Sequence, residues 1–403
     1  MSGKETSQFA EDVYIYDAVR TPKGRVRRGG GTLAPVPSYE LLGGLLRALA
    51  DRGLDAERVE DVIIGTSTAF GEQAGDVARA AVLWAQWPDT VPGGTVSRLC
   101  CSGFDAIGSA AARIGSGMNE VVVAGGVESM SRVPMLADAP AFASDGDYRD
   151  RTGYVTIGVS ADLTAAEAGF TREELDAFAV ESHRRACAAS PSSSVIPVSV
   201  GGETLLSRDE GGRTDATVEG FAALPALFGD DPSWPGVLER LSDAVRPEGG
   251  LHSMATAPQL ADGASAIVLG SAAAAEYLGP PRGLLLAVTQ SAVRSPRLTA
   301  TVTAAQIALQ RSGLTPADLA VVEANESFAV SPLLLTRELG LDPAIVNPHG
   351  GSVATGHPLG ASGGMLLTDA LAELERTDSD YALLTIPGAL GLGAAAVIAR
   401  LIS

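Results

Sequence analysis

The sequence predicts an α/β protein made of two similar halves, with a different kind of segment inserted between them. An amphipathic helix, a Gly-Leu pair, a short acidic linker and an apolar strand occur in this order in residues 39–66 and again in residues 303–327. Each copy is followed by a glycine-rich turn, a helix of small residues and another apolar strand. This repeated order indicates a duplicated fold.

The repeat places two reactive residue types at equivalent positions. The Gly-Leu pairs begin at Gly53 and Gly313, and Cys100 follows the first by 47 residues while His357 follows the second by 44. Both residues stand just before the small-residue helix of their half. If the halves pack around a pseudo-twofold axis, the N-termini of the two helices meet at one cleft.

The length of 403 residues is sufficient for two or three domains with well-buried cores. We predict an N-terminal half over residues 1–131, completed by about 251–280, and a C-terminal half over residues 281–403. Residues 132–250 are rich in Pro, Asp, Ser and Gly, and predict a lid-like loop domain. Apart from one clear helix in residues 171–190, we expect irregular loops and short strands there.

Charge and composition exclude several classes of partner. The chain has 29 Lys and Arg against 48 Asp and Glu, a net charge of −19, so we expect no binding to nucleic acid or anionic membranes. No apolar signal region or membrane-length apolar run is present. Three cysteines, two of them adjacent, do not build a disulfide framework. These features predict a cytoplasmic protein.

The sequence offers no pattern for a metal or a permanently bound cofactor. Four dispersed histidines without a Cys-x-x-Cys motif give no ligand spacing for a metal. The glycine-rich turns lack the Lys-Ser/Thr of a phosphate-binding loop, and the stretch AGGVESM lacks the spacing of a dinucleotide fingerprint. We therefore predict that neither is present.

Cys100 is the leading candidate for a nucleophile. It follows an extended segment and immediately precedes the predicted helix of small residues. The positive end of a helix dipole favours a thiolate, and free backbone N–H groups there stabilise an oxyanion. An isolated cysteine is more often a small buried residue, but this setting favours a reactive thiol.

Three further residues are candidates for the same site. His357 is the natural general base, because an imidazole accepts protons near neutral pH. His349, on the same loop, is an auxiliary candidate. Asn325 follows an apolar strand, and on spacing alone it is equally well a carbonyl-polarising residue or a turn residue. Of the other histidines, His183 is predicted to lie at the surface, and His252 is left open.

Together these features resemble the thiolase family over nearly the whole chain. The similar segments are residues 100–103 (CCSG), 123–131 (VAGGVESMS), 171–186, 325–328 (NESF) and 356–358 (GHP). The resemblance implies the thiolase fold, in which two duplicated halves form a five-layered core. It also implies that Cys100 becomes acylated and that His357 and Asn325 are catalytic.

The sequence also departs from the family pattern. Aligning residues 384–391 with the family's Cys-x-Gly loop places Pro387 where a second catalytic cysteine stands in other thiolases. Cys187 lies in the loop-domain helix and does not replace it. Ser97 stands where the family commonly has Asn, Cys101 where it has Gly, and residues 258–259 where it has Ser-Gly.

Three functions fit this combination. The first is a thiolase-like acyl-CoA C-acyltransferase that forms an acyl-Cys100 intermediate and makes or cleaves a β-ketoacyl-CoA. His349, His357 or water then replaces the missing acid/base. The second is a divergent condensing enzyme, such as a decarboxylative one of specialised metabolism. The third is an acyl-CoA-binding protein with little turnover, which the retention of the catalytic candidates disfavours.

The resemblance implies coenzyme A and acyl-CoA as substrates rather than as bound cofactors. Because the chain is acidic, the phosphates of coenzyme A need a local basic residue, and Arg213 is a weak candidate. By resemblance alone we expect a homodimer or homotetramer.

Overall fold

A computed structural model describes residues 6–190, 192–294 and 296–401. In these residues ten strands form one mixed sheet, and two further strands form a separate hairpin. The N-terminal elements are β1 (Val13–Arg20), β2 (Gly24–Arg25), α1 (Ser38–Asp51), β3 (Asp61–Gly65), α2 (Val77–Trp84), β4 (Gly94–Val96), α3 (Ser102–Gly115) and β5 (Val121–Ser129).

The middle of the chain is largely helical. Its elements are α4 (Ala141–Ser144), α5 (Gly146–Thr152), α6 (Ile157–Ala168), α7 (Arg172–Ala188), β6 (Val198–Val200), β7 (Glu203–Leu206), α8 (Val218–Ala222) and α9 (Trp234–Arg240). The expectation of a single helix among loops and short strands was wrong. Residues 158–165 of α6 are all buried, so this helix has no polar face and no amphipathic period to reveal it.

The remaining elements complete both halves. They are β8 (Ala261–Gly270), α10 (Ala275–Leu278), β9 (Gly283–Ala292), α11 (Ala300–Ser312), β10 (Val321–Ala324), α12 (Val330–Leu339), α13 (Ser352–Thr355), α14 (Ser362–Thr377), β11 (Tyr381–Gly388) and β12 (Leu392–Arg400). The predicted boundaries between the halves and the loop domain stay a prediction.

The strand order confirms the predicted duplication. One part of the sheet runs β1-β8-β5-β3-β4 and the other β9-β12-β11-β10. Val346 bridges Val322 of β10 in parallel, as β4 pairs with β3. Both parts therefore share one connectivity, with helices α1 and α11, and α3 and α14, at equivalent places. The parts are joined edge to edge where residues 13–15 of β1 pair with residues 283–285 of β9.

Three apolar cores define five layers. In the central core, α3 and α14 pack between strands of the two halves. A second core lies between the N-terminal strands and the outer helices α1 and α2, and a third lies under α11 and α12. The order is helices, sheet, α3 with α14, sheet, helices. Strands such as β8 are buried along their whole length because both faces are covered.

The loop domain is tied to both halves by one buried arginine. Arg20 of β1 donates to both carboxylate oxygens of Asp209, at 2.8 and 3.0 Å, and to Asp369 of α14 at 2.6 Å. Asp209 follows the β6–β7 hairpin and also accepts the backbone N–H of Lys23 at 2.8 Å. Such paired, hydrogen-bonded charges are the form in which arginine is tolerated in an interior.

The N-termini of α3 and α14 meet through glycines. A Cβ atom on Gly103 would lie 2.8 Å from the carbonyl oxygen of Gly360, and one on Gly363 would lie 2.7 Å from the amide nitrogen of Phe104. Both distances are shorter than ordinary van der Waals contacts. The two helix starts therefore approach each other closely only because neither carries a side chain at the contact.

Gly103→Ala should destabilise the fold by about 1–3 kcal/mol, because the added methyl group overlaps a backbone carbonyl that has little freedom to move. The matched control is Gly44→Ala in α1, where an added Cβ meets nothing within 4 Å. There the better helix propensity of alanine should stabilise the protein by about 0.5–1 kcal/mol. Urea unfolding measures both changes. Equal effects of the two substitutions would contradict the close contact.

Candidate active site

Cys100 lies in a strained turn between β4 and α3. Leu99 has φ +51°, a backbone conformation that a leucine rarely adopts. Ser102, the first residue of α3, stabilises this turn because its hydroxyl accepts from the N–H of Arg98 at 2.8 Å and donates to the carbonyl of Leu99 at 2.5 Å. The sulfur of Cys100 is therefore held at the start of the central helix, as the sequence predicts.

The thiol of Cys100 is neutral at rest. Burial, and then the nearby carboxyl of Glu128, raise its pKa to about 12, while a hydrogen bond from the N–H of Ala389 acts in the opposite direction. The position at a helix start led us to expect a favoured thiolate, but burial is the largest influence on this group and it favours the neutral thiol. Nucleophilic attack by this residue needs a base that removes its proton.

His357 is buried at the equivalent place in the other half. Its Nδ1 is hydrogen-bonded to the hydroxyl of Ser362, the first residue of α14, at 2.7 Å. Its Nε2 is buried and has no hydrogen-bond partner among the described residues. Burial, and then the charge of Lys23, lower the pKa of His357 to about 3, so the ring is neutral. The unpartnered Nε2 is thus a free proton acceptor.

Cys100 and His357 each stand close in sequence to a glycine of the contact between α3 and α14. Cys100 precedes Gly103 by three residues, and His357 precedes Gly360 by three. The two side chains are not hydrogen-bonded to each other in this structure. Such catalytic hydrogen bonds often tighten only when substrate binds.

Glu128 joins the loops that carry these residues. Its buried carboxylate accepts the backbone N–H groups of Ser67 at 2.7 Å, Thr68 at 3.1 Å and Gly360 at 3.0 Å, together with the side-chain amide of Gln73 at 2.8 Å. Burial raises its pKa, which the hydrogen bonds partly offset. Sequence reasoning missed this residue, although an acidic side chain at the end of an apolar strand is a visible signal.

Asn325 is fixed at the end of β10. Its side-chain oxygen accepts from the hydroxyl of Ser352 at 2.7 Å, and its Nδ2 donates to the hydroxyl of Ser327 at 2.7 Å. The hydroxyl of Ser327 lies 3.4 Å from the carbonyl oxygen of Pro387, within hydrogen-bonding reach of that loop. The amide of Asn325 is therefore held rigidly, with one N–H not used by any described residue.

Comparisons with known proteins decide the family. The family model described as "Thiolase, N-terminal domain" matches residues 13–234, and "Thiolase, C-terminal domain" matches residues 281–400. The chain belongs to the thiolase family. The prediction of an acyltransferase of the thiolase type, with the thiolase fold, is thereby confirmed.

Individual thiolases are similar over nearly their whole length. The chain is 36% identical to a β-ketoadipyl-CoA thiolase of Pseudomonas knackmussii, covering 97% of this chain and 100% of that one. It is also 36% identical to a 3-ketoacyl-CoA thiolase of Acinetobacter baylyi, with coverage of 98% and 100%. The crystal structure of an acetyl-CoA acetyltransferase from Bacillus anthracis has a TM-score of 0.83 at 29% identity, covering 98% of this chain and 100% of that one.

Cys101 lies against the residues around Pro387. The family resemblance leads us to expect a second cysteine at the position of Pro387. Pro387 is the penultimate residue of β11 and pairs with Gly393 of β12. The thiol of Cys101 is 3.6 Å from the carbonyl oxygen of Ile386, and a Cβ on Gly388 would lie 3.2 Å from its sulfur. Burial raises the pKa of Cys101. Sequence reasoning did not foresee this contact, because it depends on the approach of the two halves.

Two other predicted residues lie elsewhere. His349 is hydrogen-bonded at 2.8 Å to Glu373, which follows Ser362 by eleven residues along α14. That separation corresponds to roughly 16 Å along the helix axis, so the structure does not bring His349 to His357. The side chain of Arg213 is half exposed, 3.5 Å from that of Asp215. It is partly open to solvent within the loop domain.

The remaining histidines and the third cysteine lie in the loop domain or next to it. His183 is buried, not exposed as predicted. It packs on the ring of Phe221 and accepts the N–H of Arg213 at 3.2 Å. His252 is fully buried and its Nδ1 lies 2.8 Å from Asp162. Cys187 lies exposed in α7, close to Gly212. These positions separate them from the residues around Cys100.

No group of three or more His, Cys, Asp or Glu residues in the described part of the chain is arranged to hold a metal ion. No helix within the described ranges has the length and apolar character needed to cross a bilayer. The predictions of no metal, no resident cofactor and a cytoplasmic location stay predictions.

Glu128→Gln should destabilise this thiolase by about 1–3 kcal/mol, because the new amide group directs N–H donors at backbone N–H groups that now lack an acceptor. The control is Glu60→Gln, an exposed carboxylate that accepts from Glu120 and Asn119. There the change should stay within about 0.5 kcal/mol. Urea unfolding of both variants measures the difference, and a cost at Glu128 no larger than that at Glu60 would refute the joining role.

Proposed function

We propose that this thiolase cleaves a β-ketoacyl-CoA with coenzyme A, and forms it in reverse, through an acyl thioester on Cys100. A β-ketoacyl-CoA is the substrate class that the names of the β-ketoadipyl-CoA and 3-ketoacyl-CoA thiolases share. The observation that carries the proposal is the buried, unpartnered Nε2 of His357, on the loop that packs against the helix of Cys100.

In the first step His357 Nε2 takes the proton from Cys100 as the sulfur attacks the keto carbon. The bond between that carbon and the α-carbon breaks, and its electron pair passes to the enolate of acetyl-CoA. Burial favours the neutral thiol of Cys100 and the neutral imidazole of His357. A separated thiolate–imidazolium pair is therefore costly in this site. Proton transfer therefore accompanies carbon–sulfur bond formation.

The oxygen that becomes negative needs hydrogen-bond donors. The imidazolium N–H of His357 supplies one, and the N–H of Asn325 that no described residue uses supplies another, directly or through water. Ser352 and Ser327 hold the amide of Asn325 in place. This support makes Asn325 an oxyanion donor rather than a turn residue.

His357 also replaces the missing second cysteine. The imidazolium returns the proton that it took from Cys100 to the α-carbon of the enolate, which gives acetyl-CoA and a neutral ring. In the second half-reaction the ring takes the proton of the coenzyme A thiol, whose sulfur attacks the acyl group. The sulfur of Cys100 leaves and regains that proton. His349, bound to Glu373, is not needed.

Other parts of the proposal follow the family resemblance. We propose Arg213 as one contact for the phosphates of coenzyme A, supported by its partial exposure in the loop domain. The homodimer or homotetramer, and the division at residues 1–131, 132–250 and 281–403, with residues 251–280 completing the first half, stay predictions.

Incubation with acetoacetyl-CoA should add one acyl group to the protein, detected by intact mass. Cys100→Ala should abolish the adduct, because it removes the nucleophile. Cys101→Ala is the matched control. It should retain the adduct, because the thiol that this substitution removes is bonded to the carbonyl of Ile386 and is not the proposed nucleophile. Loss of the adduct in Cys101→Ala but not in Cys100→Ala would overturn the assignment. Absence of any adduct in the unmodified protein would overturn the function.

The rate of acylation should stay constant as pH falls from 8 to about 5. An imidazole base loses activity when it is protonated, and the pKa of His357 is lowered to about 3, so its protonation begins only below that range. Single-turnover acylation of Cys100 across this range, with an unreactive substrate analogue to check binding, measures the profile. A limb with its midpoint near 6.5 would show an exposed, unperturbed base and contradict this prediction.

A further inference from the structure

Three arginines surround one small pocket at the edge of the loop domain. The pocket has a volume of about 220 Å³. Its walls are formed by Arg151, Thr152, Gly153, Val237, Arg240, Leu241, Arg294 and Pro296. None of these described lining residues is acidic. The pocket therefore combines positive charge with an apolar wall.

The three arginines lack carboxylate partners among the described residues, in a protein whose net charge is −19. Arg297 shows the contrast. It lies three residues after Arg294 and pairs with Glu167 at 2.8 Å and Asp243 at 3.2 Å. Arg151 and Arg294 make no side-chain hydrogen bond to any described residue. Their charges are thus available to an anion from outside the protein.

Arg240 is held over the pocket by the backbone. Its guanidinium donates to the carbonyl oxygens of Arg149 and Asp150. A Cβ on Gly153, which has φ +74°, would lie 2.9 Å from Nη1 of Arg240. The glycine therefore permits both the turn after α5 and the close approach of the guanidinium. These contacts fix one positive group without neutralising it.

Two chain segments link the pocket to the surroundings of Cys100. On one side, Gly153 is followed by Tyr154. Burial raises the pKa of Tyr154, the charge of Arg149 lowers it, and the charge of Cys100 raises it. On the other side the N–H of Val293, next to Arg294, donates to the carbonyl of Gly391 at 2.9 Å. Gly391 ends the turn that begins at Ala389, whose N–H is hydrogen-bonded to the sulfur of Cys100.

We propose that this pocket binds a carboxylate at the far end of the acyl chain, so that the preferred substrates are thioesters of dicarboxylic acids. The inference rests on the proposed function, because the acyl chain must start at Cys100. Guanidinium groups match a carboxylate in charge and geometry, and Val237 and Leu241 offer apolar contact to the methylene groups before it.

Equilibrium binding to the Cys100→Ala variant tests the pocket without turnover. Adipyl-CoA and hexanoyl-CoA have acyl chains of equal carbon number and differ in a terminal carboxylate against a methyl group. Adipyl-CoA should bind roughly 10- to 100-fold more tightly, as expected for hydrogen bonds to a charged group. Isothermal titration calorimetry gives both dissociation constants. Equal affinities would overturn the proposal.

Arg151→Gln and Arg294→Gln, each added to that variant, should reduce the preference for adipyl-CoA roughly tenfold and leave the affinity for hexanoyl-CoA unchanged. They are suitable because neither side chain is hydrogen-bonded to a described residue, whereas Arg240 supports α5. The charge-matched control is Arg311→Gln in α11, which bonds only to the side chain of Gln8 among the described residues. It should leave the preference intact.

An equal loss of affinity for both ligands would show that the arginines contact coenzyme A itself, and would overturn the proposal. So would an unchanged preference in both variants. Failure of the proposed function has a different signature, the absence of an acyl adduct on the protein that retains Cys100. The two proposals can therefore fail separately.

Discussion

The arrangement of the active site depends on the carboxylate of Glu128. Its two oxygens accept four N–H groups, three from the N-terminal half and one, from Gly360, on the loop that carries His357. A buried carboxylate is expensive unless its lone pairs are satisfied, so these donors and this acceptor stabilise one another only when the halves are docked. Burial, and then the charge of Glu128, raise the pKa of Cys100. The residue that joins these loops thus also contributes to keeping the thiol of Cys100 neutral.

Burial therefore sets the chemical character of the two reacting groups. It raises the pKa of Cys100 and lowers that of His357, and in each case it favours the neutral form. A resting thiolate–imidazolium pair, as in some cysteine enzymes, is not the arrangement here. In the proposed mechanism a neutral imidazole with a free Nε2 serves as base first and as acid afterwards, so that one ring suffices.

The sequence allowed the fold to be predicted because the fold depends on local, repeated patterns. Helix, glycine and strand periods are visible in each half, and they place Cys100 and His357 before equivalent helices. The contact of Cys101 with Ile386 and the burial of His183 were not visible, because each depends on packing between segments distant in the chain. Helix α6 was missed for a related reason, since a helix buried on all sides has no polar stripe. The arginine pocket unites residues 151, 240 and 294, which no sequence window contains together.

The glycine contact between α3 and α14 has a consequence for motion. Backbone packed directly against backbone leaves no side chain whose rotation can absorb a displacement. The turns bearing Cys100 and His357 must therefore shift together or not at all, and the distance between nucleophile and base is nearly constant on the timescale of side-chain rearrangement. Entry and exit of a long thioester then have to be accommodated by the loop domain, whose short helices α4, α5 and α9 pack in small separate clusters.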